Sequence, residues 1–146
     1  MEGVIKMADV ILKTQAKAHG GRDGHVKSDN GVIDFKLAMP KKGQEVNDAT
    51  NPEQLFAAGY SACFDGALNL MAQKAKKEIE SEIEAEVSLV KDESDGGFKI
   101  AVTLNALVQG VSDDEAKELV HKAHQFCPYS KATAGNVDVT LNVKTK

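Results

Sequence analysis

The chain has 146 residues, 27% charged and 42% hydrophobic, which is ordinary globular usage and excludes a disulfide-stapled miniprotein, a disordered tail and a fibre. Acids outnumber bases 22 to 18 and the bases are scattered, so the electrostatic footprint of a nucleic-acid binder is missing. Two cysteines, Cys63 and Cys127, are too few for a secreted disulfide framework, and no charged-then-apolar leader precedes Met7, so a cytoplasmic protein is expected.

With no repeat and no Pro/Ser-rich linker, a single domain over residues 1–146 is expected, with 1–6 a possible N-terminal extension if Met7 is the native start. Val10 to Ala18 reads as a strand. His19-Gly20-Gly21-Arg22-Asp23-Gly24 interrupts it with a glycine-rich turn. His25 to Ser28 and Val32 to Ala38 flank Asp29-Asn30-Gly31, whose Asn-Gly step suits a tight hairpin. A polar connection, Pro40 to Thr50, leads to Asn51-Pro52-Glu53-Gln54: a cap residue, a proline at the first helical position and an acid in the first turn.

The helix that starts there is predicted to run to about Glu78. Its first half is apolar nearly all round, so it belongs in the core. Leu55 to Ala72 has the length of a membrane span but contains Ser61, Asp65 and Asn69, which argues for a buried helix instead. Small residues, Ala57, Ala58, Gly59, Ser61, Ala62, Gly66 and Ala67, allow another backbone to approach it.

Ile83, Ala85, Val87 and Leu89 alternate with polar residues, as do Phe98, Ile100, Val102, Leu104 and Ala106 beyond an Asp95-Gly96-Gly97 turn. This is a hairpin with one buried face. Ser112 and Glu115 form a capping box ahead of a second helix, Ala116 to Phe126, that ends at Pro128. Val137, Val139, Leu141 and Val143 close the chain as a strand. The order β-β-β-α-β-β-α-β predicts an α+β fold with helices packed on a mostly antiparallel sheet.

Free cysteines in such a chain are often small core hydrophobes, but two of them also make a redox couple. Cys127 ends a helix, where the partial negative charge disfavours a thiolate, so Cys63 is the better nucleophile. Mid-helix and buried, Cys63 needs a cation to ionise. Arg22 is the chain's one arginine, on a loop whose glycines permit it to fold inward; its alternative is a solvated loop residue. His121 and His124 are three apart on the second helix but lack a dense ligand cluster, so no metal is expected. No Lys-Ser/Thr follows the glycines at 20, 21 and 24, and they are not a phosphate cradle. Phe56, Phe64, Leu68, Met71 and Phe126 read as core, with any that border Cys63 able to line a substrate pocket.

Three separated motifs carry a resemblance: Gly20-Gly21-Arg22-Asp23-Gly24, the run from Thr50-Asn51-Pro52-Glu53-Gln54 to Tyr60-Ser61-Ala62-Cys63-Phe64, and Cys127-Pro128-Tyr129-Ser130. Together they closely resemble the organic hydroperoxide resistance proteins of the OsmC/Ohr family, over nearly the whole chain. The resemblance implies a bacterial thiol peroxidase that reduces organic hydroperoxides, works as an intertwined homodimer, carries no resident cofactor and is re-reduced by lipoyl dithiols on a lipoylated protein. It implies that Cys63 is the peroxidatic cysteine, Cys127 the resolving one, and Arg22 and Glu53 the pair that tunes Cys63. The family often has Asn and Arg where this chain has Lys131 and Ala134, which bears on local surface contacts and the choice of reductant.

Glu53 and Cys63 are ten residues apart, about 15 Å of rise on a straight helix, too far for both to touch one guanidinium. Either the helix breaks near Gly59 or a second subunit supplies part of the site, and the small residues favour the second answer. The alternatives to an organic hydroperoxide reductase are an OsmC-type peroxidase with another substrate preference and a non-catalytic stress or binding protein on the same fold.

Overall fold

A computed structural model describes residues 9–41 and 46–146, which excludes the possible extension at 1–6 and part of the 40–50 connection. The chain forms two units, Met1–Pro52 and Glu53–Lys146. In the N-terminal unit, β1 (Ala16–His19), β2 (His25–Ser28) and β3 (Asp34–Lys36) form an antiparallel sheet in that order. The strands are shorter than their apolar patterns predict. Val10, Ile11 and Leu12 precede β1 and are exposed, and Leu37 leaves β3 for an isolated parallel bridge with Thr50. At Asn30-Gly31 the chain makes a wider loop rather than a two-residue turn: Ser28 N–H donates to the Ile33 carbonyl, and Asn30 Oδ1 takes the Val32 N–H at 3.0 Å.

α1 (Pro52–Lys74) begins where the proline signal places it and belongs to the C-terminal unit from Glu53 onward. It ends a turn earlier than predicted. Lys76 takes a left-handed conformation (φ 58°), and the N–H groups of Lys76 and Lys77 bond back to the carbonyls of Gln73 and Ala72, closing a Schellman motif. That position is usually glycine, so no sequence signal marked it. Tyr60, Phe64, Ala67, Leu68 and Ala72 are buried, while Gln54, Ala58, Ala62, Gly66 and Asn69 are exposed. The helix is therefore buried along one stripe, not all round as expected, and its other stripe of small residues faces outward.

β4 (Glu80–Asp92) and β5 (Gly97–Gln109) form the predicted hairpin, at 13 residues each. Val102, Leu104, Ala106 and Val108 of β5 are buried, and Glu82, Glu84 and Glu86 of β4 point outward. The capping box ahead of α2 (Asp113–Phe126) is present: Ser112 Oγ accepts from Glu115 N–H at 3.2 Å and Glu115 Oε1 from Ser112 N–H at 3.0 Å. Beyond it, Pro128 does not only stop a helix; it occupies the first turn of another, α3 (Pro128–Thr133), which was not predicted. β6 (Val139–Thr145) then pairs with β5 in parallel, giving the order β4-β5-β6. The long α2–α3 crossover makes parallel pairing possible where a short turn would enforce the antiparallel kind. The architecture is α+β, as expected, with two sheets and, among the described residues, three helices.

Candidate active site

Cys63 projects from the middle of α1, half-buried, and Cys127 is wholly buried at the junction of α2 and α3. Their sulfurs lie 3.4 Å apart, with the Cys127 thiol directed at Cys63. Both are free thiols. The junction residue has an extended backbone (φ −62°, ψ 126°), so Cys127 caps the end of one helix and the start of the next. The helix-end argument that made Cys127 the poorer nucleophile therefore loses its force; what separates the two thiols is access.

Burial pushes the Cys63 thiol pKa up, a backbone hydrogen bond from the Tyr129 N–H pulls it down, and competition with the neighbouring Cys127 thiol raises it again. The net direction is upward. The demand for a cation, made from the sequence, stands on this geometry as well.

Arg22 and Glu53 fall in different units. Arg22 occupies a short 3-10 turn, Gly21–Asp23, in the N-terminal unit, where its Nη1 lies 3.7 Å from Met39 Sδ. The turn depends on its glycines: Gly20 is left-handed (φ 82°), and a Cβ on Gly24 would sit 1.8 Å from the His19 carbonyl oxygen. Glu53 stands in the first turn of α1. No break intervenes between it and Cys63, since α1 is continuous through Gly59.

The pocket candidates divide. Phe64 and Leu68 are wholly buried, Phe56 and Met71 pack at the core's margin, and Phe126 is exposed, with Lys74 Nζ 5.1 Å and Lys131 Nζ 5.3 Å from its ring centre. Among the described residues no group of His, Cys, Asp and Glu could hold a metal ion. Nor is any helix among them long and apolar enough to cross a membrane.

This pair of thiols lies in a recognisable sequence frame, for residues 43–142 match the family described as OsmC-like protein. The chain belongs to the OsmC-like family. It is 57% identical over 134 residues to organic hydroperoxide resistance protein OhrB of Bacillus subtilis, covering 92% of this chain and 98% of that one. The crystal structure of the B. subtilis OhrB is similar with a TM-score of 0.86 at 56% identity, over 92% of this chain and 100% of that one. An organic hydroperoxide resistance protein from Elizabethkingia anophelis, solved with thiocyanate bound, gives a TM-score of 0.88 at 49% identity, over 95% and 100% of the two chains.

Beside the OsmC-family motifs, three residues around the thiols escaped the sequence reading as site residues: Tyr60, Ser130 and His124. Tyr60 Oη is 2.8 Å from Ser130 Oγ, which is 2.8 Å from His124 Nδ1. Nothing periodic marks such a chain; the quoted motifs held two of its members, and His124 stood out only for its spacing from His121 and its place three residues before Cys127. Gly59 also acquires a reason. A Cβ there would meet Tyr129 Oη at 2.7 Å, so glycine lets the Tyr129 ring, which packs on Phe56 and Tyr60, lie close against α1.

Proposed function

We propose that this protein is a cysteine peroxidase that reduces organic hydroperoxides to alcohols in defence against oxidative stress. The observation that carries the reading is the 3.4 Å approach of a half-buried thiol to a wholly buried one. The Cys63 thiolate attacks the outer peroxide oxygen, the O–O bond breaks, the alkoxide leaves with a proton as alcohol, and Cys63 becomes a sulfenic acid. Cys127 then displaces water from that sulfur and closes a disulfide. An external dithiol restores both thiols by exchange. Support for the substrate class comes from relatives named for organic hydroperoxide resistance, at 57% and 50% identity.

Arg22 is the cation that makes the Cys63 thiolate accessible near neutral pH, and Glu53 orients its guanidinium by a two-pronged hydrogen bond. Because α1 is unbroken, Glu53 and Cys63 of one chain stay about 15 Å apart along the axis. A homodimer whose sites combine two chains resolves the distance, and the exposed small residues Ala58, Ala62 and Gly66 supply a face on which a second helix can pack closely. The reductant is a dihydrolipoyl dithiol carried on a protein, and the reducing cytoplasm is the compartment that keeps such a pair poised.

Titrating thiols before and after one equivalent of tert-butyl hydroperoxide tests the chemistry. Both thiols should disappear together, and a protein that keeps both is a binding module rather than a peroxidase. Rates with a fatty-acid hydroperoxide, a small alkyl hydroperoxide and hydrogen peroxide test the substrate class; fastest turnover of hydrogen peroxide would overturn it.

A further inference from the structure

Behind the two sulfurs a single hydroxyl ties all three helices of the C-terminal unit together. Ser130 of α3 is 1% exposed, and its Oγ lies 2.8 Å from Tyr60 Oη of α1 and 2.8 Å from His124 Nδ1 of α2. Tyr60, itself wholly buried, also comes within 3.3 Å of Thr133 Oγ1, whose hydroxyl donates to the Ser130 carbonyl at 3.1 Å. Among the described residues no buried side-chain polar atom lacks a partner. A shift of α3 would leave some of these hydroxyls unpaired in a dry environment, which is costly.

Where the tie sits gives it a consequence. His124 precedes Cys127 by three residues and Ser130 follows it by three. Between them the chain turns at Cys127, whose N–H bonds to the Ala123 carbonyl and whose carbonyl accepts from Lys131 N–H. A small rotation at this extended residue would swing α3 against α2 and shift the Cys127 sulfur from its 3.4 Å approach to Cys63. The Tyr60–Ser130–His124 chain opposes that rotation from both sides, because it fixes α3 to α1 and to α2 at once. Burial, with a further push from His121, holds His124 below the ordinary imidazole range. The neutral ring thus favoured pairs through Nδ1 with the Ser130 hydroxyl, which pairs in turn with Tyr60 Oη.

We infer that Ser130, clamped between Tyr60 and His124, is a positioning residue for disulfide closure: it holds Cys127 against Cys63 while the sulfenic acid is resolved. The inference rests on the thiol chemistry proposed above and adds a requirement to its second step. In that step the Cys127 sulfur bonds to the Cys63 sulfur as the Cys63 S–O bond breaks. Cys127 is oxidised, the Cys63 sulfur is reduced, and the departing hydroxide takes the Cys127 proton as water. No outside reagent enters. A sulfenic acid that waits too long for Cys127 meets a second hydroperoxide and goes on to sulfinic acid.

The test separates the two steps in the full-length, pre-reduced protein. Ser130→Ala and Tyr60→Phe are compared with wild type for the consumption of one equivalent of tert-butyl hydroperoxide and for the rate at which both thiols are lost by mass spectrometry. Each variant should consume hydroperoxide within about twofold of the wild-type rate but close its disulfide about tenfold more slowly, the effect of one buried hydrogen bond. With excess hydroperoxide both should accumulate sulfinic Cys63. The double variant should close less slowly than the product of the two single effects predicts, since the two share the Tyr60–Ser130 link. Tyr60→Phe deletes only an oxygen and keeps the ring, so it answers the question if Ser130→Ala folds poorly. Wild-type closure rates in Tyr60→Phe, or equal slowing of both steps, would overturn the positioning role alone. A wild-type protein that consumes no hydroperoxide or never closes its disulfide would overturn the thiol reading and this role with it.

Discussion

The sulfur of Cys127, wholly buried, lies 3.4 Å from that of Cys63, which is partly exposed and sits one helix away. Access therefore distinguishes the two thiols where helix-end electrostatics could not. In the proposed cycle a hydroperoxide reaches Cys63 and not Cys127, and once the disulfide has formed the incoming dithiol meets the same exposed sulfur. Cys127 is then the leaving thiol, and it departs into the position it already occupies.

Replacing each cysteine should separate the half-reactions. Cys63→Ser should consume no hydroperoxide, because the remaining thiol is shielded. Cys127→Ser should consume its first equivalent, form a sulfenic acid that dimedone traps, and then over-oxidise. Loss of that first, stoichiometric reaction in Cys127→Ser would reverse the assignment.

Arg22→Ala should slow alkylation of Cys63 by iodoacetamide at about pH 6, because the thiolate reacts and burial already favours the thiol. The sign is set by charge: removing a cation raises a thiol pKa and lowers the thiolate fraction below it. Arg22→Lys should rescue little, since a point charge cannot bridge a sulfur and a carboxylate. Equal alkylation rates in wild type and Arg22→Ala would eliminate Arg22 as the activating cation.

A site assembled from two chains makes a prediction that one chain cannot meet. Cys63→Ser and Glu53→Ala proteins, each inactive, are unfolded, mixed and refolded. Activity should return in the mixed dimer, where one of its two sites is whole. Proven heterodimers with no activity would mean that each chain builds its own site.

Gly59→Ala sets two effects against each other. Removing a mid-helix glycine stabilises α1 by about 1 kcal/mol. The new Cβ, however, falls 2.7 Å from Tyr129 Oη, the end of a partly exposed side chain that can yield. Stability should therefore change by less than about 1 kcal/mol in urea denaturation, while disulfide closure slows as Tyr129 leaves α1. A destabilisation well beyond that range would show that the Tyr129 ring cannot give way.

Acid should weaken the start of α2 through Glu115. Its carboxyl is held at about 2, first by the Lys77 ammonium at 2.6 Å and then by the Ser112 N–H and hydroxyl. A carboxyl held low when folded contributes stability at pH values above its unfolded range and loses it as pH falls toward about 2. Over that acid interval wild type should lose more stability than Glu115→Gln, whose side chain does not titrate. Parallel pH profiles for the two proteins would remove Glu115 from the acid response.

Much of this protein was legible in local signals. Proline at the start of α1, the Ser112–Glu115 capping box and the period-two alternation of β4 and β5 each report backbone energetics within a few residues, and each element appears where those signals lie. The α+β class followed from their order, and the two thiols from composition. Other features were decided by the tertiary structure. Lys76 ends α1 in a conformation that glycine would have announced, because hydrogen bonds to Gln73 and Ala72 stabilise it. The parallel placement of β6 depends on how the crossover packs rather than on any short pattern. Cys63 and Cys127, 64 residues apart, meet only after that crossover has folded back on α1. The same holds for the hydroxyls of Tyr60 and Ser130, which are 70 residues apart. Helix and strand periods describe which face of an element is buried; a hydrogen bond between distant side chains has no period, so only the folded packing could reveal the chain of groups behind the thiols.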